Sequence, residues 1–398
     1  MPDYKKYHPQ TRCAHLGTGN TPKSGFVNPP STRGSTYLYP SIDAYDAAQG
    51  FSMKPEGIGY GRYGSQTTRE LEKSIAALDG AYGAMVTSSG FSAISTAILA
   101  CVSAGDHVLM IDNVYDPCRI FCNQTLARLG IESTFFSPDA GVEIESLIQA
   151  NTKVLFLEAP GSLTLEVPDL DRLMMVAHKY GLVTIMDNTW ATSVLYPAIE
   201  RGINVSIQAA TKYIGGHSDI MMGIITTDEK HWPAVRKTYI ELGHSPGTEE
   251  TMLALRGLRT LPCRLKQHGE SALKIAQWLE ARDEVSSVHF PALTSNPYHE
   301  LFKKQFAAAS GLFSFSLHSN ETAATARMID PMQLFSIGVS WGGYESLIFA
   351  TDPRSIRTAK PWKEPGQLIR LSIGLEHPDD LISDLEAGFN RLNETLAV

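Results

Sequence analysis

The sequence predicts an α/β protein built on a mainly parallel sheet with helices on both faces. Three observations predict it. Short apolar runs recur from about residue 107 to 208, each separated by a helix-length stretch. Two of those runs lead into reactive groups: Leu182-Val183-Thr184-Ile185-Met186 ends in Asp187, and Val205-Ser206-Ile207-Gln208 passes through Ala209-Ala210-Thr211 to Lys212. A third signal is Ser88-Ser89-Gly90, a turn that opens the apolar helix Ile94–Val102. In sheets of this kind the chemistry gathers at the carboxyl ends of the strands.

The bounds agree with an ordinary globular protein of two domains, the prior for 398 residues. Hydrophobic residues are 43% and charged residues 19%. A net charge of −8 gives no basic footprint, so no nucleic-acid partner is expected. No apolar run approaches the ~18 residues of a membrane span, and Met1–His8 carries no signal-peptide stretch. Five scattered cysteines, an odd number, point to a reducing cytoplasm. Cys118 and Cys122 are helix-spaced, but with no second Cys/His pair they read as buried thiols, and no metal is expected.

Taken in order, residues 1–59 are rich in Pro, Gly, Ser and Tyr and read as an extended arm with one short helix near Ser41–Gln49. So aperiodic a segment needs another surface, and a neighbouring subunit is expected to supply it. Thr67 and Glu70 have capping-box spacing ahead of a helix that Gly80 ends. Strands follow at His107–Ile111, Glu132–Phe136, Lys153–Leu157, Leu182–Met186, Asn204–Gln208 and Met221–Thr226. Helices lie between them near Pro117–Leu129, Ile144–Ala150 and Leu170–Tyr180. Three consecutive helices are expected at Trp232–Leu242, Glu249–Leu261 and Arg264–Arg282. Strands at Val285–Phe290, Leu312–Leu317, Leu334–Ile337 and Leu368–Ile373 then precede a last helix, Pro378–Leu392. The domains are therefore 1–59 (arm), 60–255 and 256–398, the second boundary lying inside the helical stretch.

Asp187 and Lys212 are 25 residues apart, one crossover between sheet strands. A carboxylate and an amine leaving the same sheet end suit pyridoxal 5′-phosphate (PLP), the lysine as Schiff base and the aspartate on the pyridine nitrogen. A salt bridge explains the pair equally well when it is taken alone. Other features lean toward the cofactor. The backbone N–H groups of Gly90 and Phe91 at a helix N-terminus, with the Thr211 hydroxyl, form an anion cradle. Tyr115, just beyond the strand ending near Asp112, can stack on a pyridine face.

With these residues the sequence resembles the cystathionine β-lyase and γ-synthase family of Cys/Met metabolism PLP enzymes. The likeness runs through Tyr60-Gly61-Arg62, Gly90, Tyr115, Glu158-Ala159-Pro160, Asp187-Asn188-Thr189-Trp190, Thr211-Lys212-Tyr213, Gly216-His217-Ser218-Asp219, Arg256–Leu261 and Ser340–Leu347, nearly the whole chain. Tyr115-Asp116-Pro117 and Ser340-Trp341 resemble the bacterial β-lyases within it. Ala209 stands where many members carry serine, an alanine those β-lyases share; Ile240 stands where they carry tyrosine.

The resemblance implies fold type I, the PLP-dependent transferase-like fold: a mainly parallel seven-stranded sheet in a large domain and a smaller C-terminal α/β domain. It implies that Tyr60 and Arg62 reach the phosphate of a neighbouring subunit, within a homotetramer made of two dimers. Arg370 would take the substrate α-carboxylate, with Ser340 and Trp341 shaping the pocket; Trp190 and His217 would serve as support. The implied reaction is cleavage of L-cystathionine to homocysteine, pyruvate and ammonia, with Lys212 as acid and base and Tyr115 assisting. Other family activities share this machinery: cysteine-S-conjugate β-lyase, cysteine desulfhydrase, methionine γ-lyase and O-acylhomoserine sulfhydrylase. A non-catalytic binding protein on the same scaffold would have little reason to keep Lys212, Asp187, Arg62, Tyr115 and Arg370 together.

Overall fold

The computed structural model describes residues 6–18 and 25–397. Parts of the predicted arm, residues 1–5 and 19–24, lie outside the described residues. Seven strands make the large sheet: β1 (Gly83–Thr87), β2 (His107–Ile111), β3 (Glu132–Phe136), β4 (Thr152–Glu158), β5 (Val183–Asp187), β6 (Val205–Ala209) and β7 (Gly223–Thr227). Their spatial order is β1-β7-β6-β5-β4-β2-β3. β7 runs antiparallel to both its neighbours, and the pairings from β6 through β3 are parallel. The β2 segment His-Val-Leu-Met-Ile is buried along its whole length, as expected of a strand covered on both faces.

A second sheet contains β8 (Val285–His289), β9 (Leu312–Leu317), β10 (Ser336–Ile337), β11 (Leu347–Thr351) and β12 (Leu368–Ser372), in the order β10-β11-β12-β9-β8. It is antiparallel except where β10 meets β11. This matches the predicted architecture: a large, mostly parallel sheet and a smaller second one. No helix among the described residues is long and apolar enough to cross a membrane.

Several local expectations are corrected. β1 and β11 were not expected. β1 (Gly-Ala-Met-Val-Thr) is short and begins in small residues, and only pairing with β7 makes it a strand. The first long helix, Gln66–Asp79, starts at Ser65: its Oγ accepts from the Thr68 N–H, and the Thr68 hydroxyl accepts from the Ser65 N–H. Thr67 is unavailable as a cap because its hydroxyl donates to Pro30 O at 2.9 Å and accepts from Thr32 N at 2.8 Å. The helix expected at Pro117–Leu129 is α-helical over Asp116–Ile120 and then widens to a π-helix over Phe121–Leu126. The segment expected as a helix at Ile144–Ala150 is 3₁₀ over Val142–Leu147.

The largest difference is Thr248–Glu280, one helix of 33 residues where two were expected. Pro262 removes one intrahelical hydrogen bond, a cost of about 3 kcal/mol. The surroundings offset it. Pro262 is buried beside Leu258, Leu261 and Leu265, and the Arg264 guanidinium ties the following turn to Gly257 O at 2.7 Å and Tyr213 O at 2.7 Å. The boundary placed near 255 falls inside this helix.

Candidate active site

Parallel pairing of β4, β5 and β6 brings their carboxyl ends together. Glu158 and Asp187 end β4 and β5 and stand opposite each other in register, and Asp187 pairs with Ile207 of β6. Lys212 follows β6 by three residues, held by its N–H to Ala209 O at 3.0 Å and by its carbonyl from Gly216 N at 2.8 Å. Its Nζ donates to Ser340 Oγ at 2.8 Å and lies 5.3 Å from the Trp341 ring centre. The segment around Ser340 passes close over Lys212 because Gly342 adopts φ +82°. A Cβ at Gly342 would also sit 3.0 Å from Tyr213 N.

Burial, and then the Arg370 guanidinium, pull the Lys212 amine down from 10.5 to about 8, with Asp187 opposing. A substantial share of the amine is thus neutral near physiological pH, as a nucleophile or base requires. Burial pushes the Asp187 carboxyl up, against the Thr189 hydrogen bonds and the Lys212 charge. Both of those bonds fall on Oδ1, from Thr189 Oγ1 at 2.6 Å and Thr189 N at 2.9 Å. Among the described residues Oδ2 accepts none, which leaves its acceptor capacity free. Burial and the neighbouring Asp187 push the Glu158 carboxyl well up; its Oε2 accepts from the Tyr115 N–H at 2.7 Å. The Tyr115 phenol is raised by burial, Asp187 and Glu158, with Arg370 opposing.

Across the site the helix Gly90–Cys101 begins. Ser89 and Ser92 cap each other reciprocally, Ser89 Oγ accepting from Ser92 N at 3.1 Å and Ser92 Oγ from Ser89 N at 3.0 Å. The Gly90 and Phe91 amides of the first turn are left pointing outward. A Cβ on Gly90 would lie 2.6 Å from the Ala209 Cβ, so the two small residues together keep this cradle open. The Thr211 hydroxyl accepts from Met222 N at 2.9 Å and lies 3.1 Å from Met222 O, which also ties the loop before Lys212 to the start of β7.

Arg370, on β12 and largely buried, sends Nη2 to Val339 O at 2.8 Å and Ser340 O at 3.2 Å. Burial draws the guanidinium down to about 10, still cationic at neutral pH. Nη1 and Nε make no hydrogen bond among the described residues. The structure therefore brings Lys212, Asp187, Tyr115, Ser340, Trp341 and Arg370 around one volume, with the helix start at Gly90 and Phe91 packed against Ala209, and with Thr211 in the loop before Lys212. Arg62 is engaged elsewhere within its own chain: Nη1 donates to Ile240 O at 2.9 Å and Nη2 to the Tyr63 hydroxyl at 2.8 Å. Tyr60 is about half exposed beside it. Trp190 is buried with Nε1 on Leu312 O, and His217 Nδ1 meets Gly215 O at 2.8 Å.

Glu158 and Thr189 received no role from the sequence, although both lie in motifs quoted above. The strand-end logic that singles out Asp187 finds Glu158 as well once β4 is extended by one residue.

The donor set fits PLP: a depressed amine for its aldehyde, a free carboxylate oxygen for its ring N–H, and open helix amides for its phosphate. Fold and site together define a PLP-dependent enzyme of fold type I. The chain belongs to the family of Cys/Met metabolism PLP-dependent enzymes, whose family model matches residues 10–390. Cystathionine beta-lyase of Haemophilus influenzae is 41% identical over 393 residues, 97% of this chain and 99% of that one. Cystathionine beta-lyase MetC of Escherichia coli is 40% identical over 388 residues, 96% and 98% of the two chains. The crystal structure of metB from Corynebacterium glutamicum matches with a TM-score of 0.89 at 28% identity, over 98% of this chain and all of that one.

Proposed function

We propose that the chain is a carbon–sulfur β-lyase that cleaves L-cystathionine to homocysteine, pyruvate and ammonia. The observation that carries the reading is the placement of the Lys212 amine at the sheet end, 2.8 Å from Ser340 Oγ, where burial and the buried Arg370 guanidinium bring it down to about 8 against the half-buried Asp187. The full-length likeness to proteins named cystathionine beta-lyase supports it.

PLP, when bound, binds the substrate amine covalently and accepts the electron pair left when Cα loses its proton. The chain does the rest. Arg370 binds the α-carboxylate through Nη1 and Nε, since a guanidinium matches a carboxylate bidentately. That contact orients Cα–H toward Lys212. Lys212 Nζ takes the Cα proton and then delivers it to the departing sulfur, and the Ser340 hydroxyl at 2.8 Å holds Nζ between the two positions. Asp187 Oδ2 holds the proton on the ring nitrogen. Trp341 walls off water near Nζ. Tyr115, its phenol kept protonated by burial and two carboxyls, acts by stacking. The released enamine hydrolyses to pyruvate and ammonia.

The same proposal places two active sites in each dimer, with Tyr60 and Arg62 serving the partner's phosphate, and two dimers in a tetramer. Supporting it, Phe26, Val27, Leu38 and Ile42 of the arm are each more than 75% exposed, an apolar surface that a second copy would cover. The unpaired thiols of all five cysteines suit a cytoplasmic enzyme. The test is turnover of L-cystathionine, L-cystine and L-methionine side by side with identification of the keto acid. Pyruvate from cystathionine is expected; 2-oxobutyrate as the main product overturns the β-elimination reading.

A further inference from the structure

A buried ionic cluster outside the reacting groups joins the two sheets. Asp112, directly after β2, accepts from Arg119 Nη2 at 2.6 Å, Arg357 Nε at 3.0 Å, Thr358 N at 3.0 Å and Lys360 N at 2.8 Å. Arg357 also donates Nη2 to Glu166 Oε1 at 3.0 Å and Nη1 to Thr164 Oγ1 at 2.8 Å. Arg119 reaches the Thr358 hydroxyl at 3.1 Å. The Arg357, Asp112 and Glu166 side chains are 3%, 0% and 5% exposed. Two carboxylates thus meet two guanidiniums, and Lys360 Nζ, paired with Asp139 Oδ2 at 2.6 Å, lies 3.9 Å from Glu166 Oε1. Burial would raise the Asp112 carboxyl, but the Thr358 and Lys360 amides and Arg357 hold it well below the usual range.

Both ends of this cluster lead into the site. Asp112 precedes Tyr115 by three residues, on the loop whose Tyr115 N–H is bound by Glu158. Arg357, Thr358 and Lys360 lie in the connection from β11 to β12, residues 352–367, whose only helical turn is the short Pro353–Ser355. β12 carries Arg370, paired with Phe349 of β11, and Arg370 in turn holds the carbonyls beside Ser340, the Lys212 partner. So long a connection would otherwise be loosely placed.

We propose that Arg357 is a positioning residue for substrate recognition: by clamping the β11–β12 connection onto Asp112 and Glu166 it sets where the Arg370 guanidinium stands relative to Tyr115 and Lys212. This rests on the reading of Arg370 as the carboxylate-binding group. A misplacement of that guanidinium by a fraction of an ångström weakens a bidentate contact more than it slows a proton transfer that Lys212 performs.

The experiment uses the holoenzyme and two substrates, L-cystine and its dimethyl ester, whose ratio of kcat/KM measures preference for a free carboxylate. Arg357→Lys keeps a positive charge but loses the fork. It is expected to raise KM for L-cystine and lower the acid-over-ester preference by about ten- to a hundredfold, with kcat changing far less. Combined with Arg370→Met it is expected to lower that preference no further than Arg370→Met alone. Thr164→Val, which removes a neutral partner and leaves every charge paired, is measured in parallel; a smaller shift in the same direction is expected, and this variant decides if Arg357→Lys does not fold. The clamp is refuted if Arg370→Met abolishes the preference while the Arg357 and Thr164 variants leave it intact, or if the Arg357 and Arg370 effects simply add. If Arg370→Met itself leaves the preference intact, the reading of Arg370 falls, and this proposal with it.

Discussion

The charge state of Lys212 is set by burial first and then by two neighbours acting in opposite directions, and that opposition can be measured. The drop from 10.5 to about 8 favours the neutral amine by about 3 kcal/mol, at about 1.4 kcal/mol per pH unit. At pH 7.5 about a quarter of the amine is then neutral, against roughly one part in a thousand for an unperturbed lysine. Burial is the largest cause, Arg370 the second, and Asp187 opposes both. Arg370→Met should therefore move the Lys212 pKa upward, but short of 10.5 because burial remains. Asp187→Asn should move it downward, since a carboxylate no longer stabilises the ammonium. Competitive labelling of the cofactor-free chain with trace acetic anhydride, from pH 6.5 to 10.5, reads the pKa from the yield of acetylated Lys212 peptide by mass spectrometry. The wild-type midpoint is expected near 8, with the two variants on either side of it. Movement of both variants in one direction, or a wild-type midpoint near 10.5, would refute the electrostatic account.

Further expectations concern cofactor, assembly and stability. Gly90→Ala should weaken PLP binding about tenfold or more by crowding Ala209, and Ala209→Gly in the same chain should restore it; equilibrium dialysis with no loss in the single variant would contradict the cradle. Arg62→Ala and Lys212→Ala chains, each inactive alone, should regain about a quarter of wild-type activity after subunit exchange, because half the dimers are hybrids with one complete site. Hybrids proven by mass spectrometry to have formed and still inactive would rule out shared sites. Burial raises the Asp79 carboxyl from 3.8 to about 6, against hydrogen bonds from Thr226, Ser193 and the Ala198 region. The folded state thus binds this proton more tightly than the unfolded chain, and stability falls as pH rises between those values, by about 3 kcal/mol in all. Asp79→Asn should raise the melting temperature above pH 6 and lose that advantage toward pH 4; a gap independent of pH would show that Asp79 is not its source.

The strand-end placement of Asp187 and Lys212 was legible because apolar runs ending in or leading to a polar residue are a local pattern. Gly90 was legible as a helix-start glycine, but its contact with Ala209 requires β6 and the helix to be packed together. β1 was missed because a five-residue run that opens with Gly83-Ala84 is too short a local signal and becomes a strand when β7 lies alongside. The Thr67 to Glu70 spacing points to the wrong cap because spacing alone cannot show that Pro30 and Thr32 occupy the threonine hydroxyl. Arg357 and Asp112, 245 residues apart, carry no common local signal; their pairing exists only through tertiary structure.

The unbroken helix Thr248–Glu280 has a consequence for dividing the molecule. At 1.5 Å per residue its 33 residues span about 50 Å. Along that length Arg259 holds the Cys13 and Gly17 carbonyls, Arg264 the Tyr213 carbonyl next to Lys212, and His268 Nδ1 meets the Ile373 carbonyl just past β12. A cut near residue 255 would sever the rod within its first third and strand Arg259 and the buried Arg264 on one fragment and their carbonyls on the other. Split reporters, domain swaps between relatives and circular permutants should therefore be opened at exposed turns such as Gly243 or Asn320, leaving this rod whole.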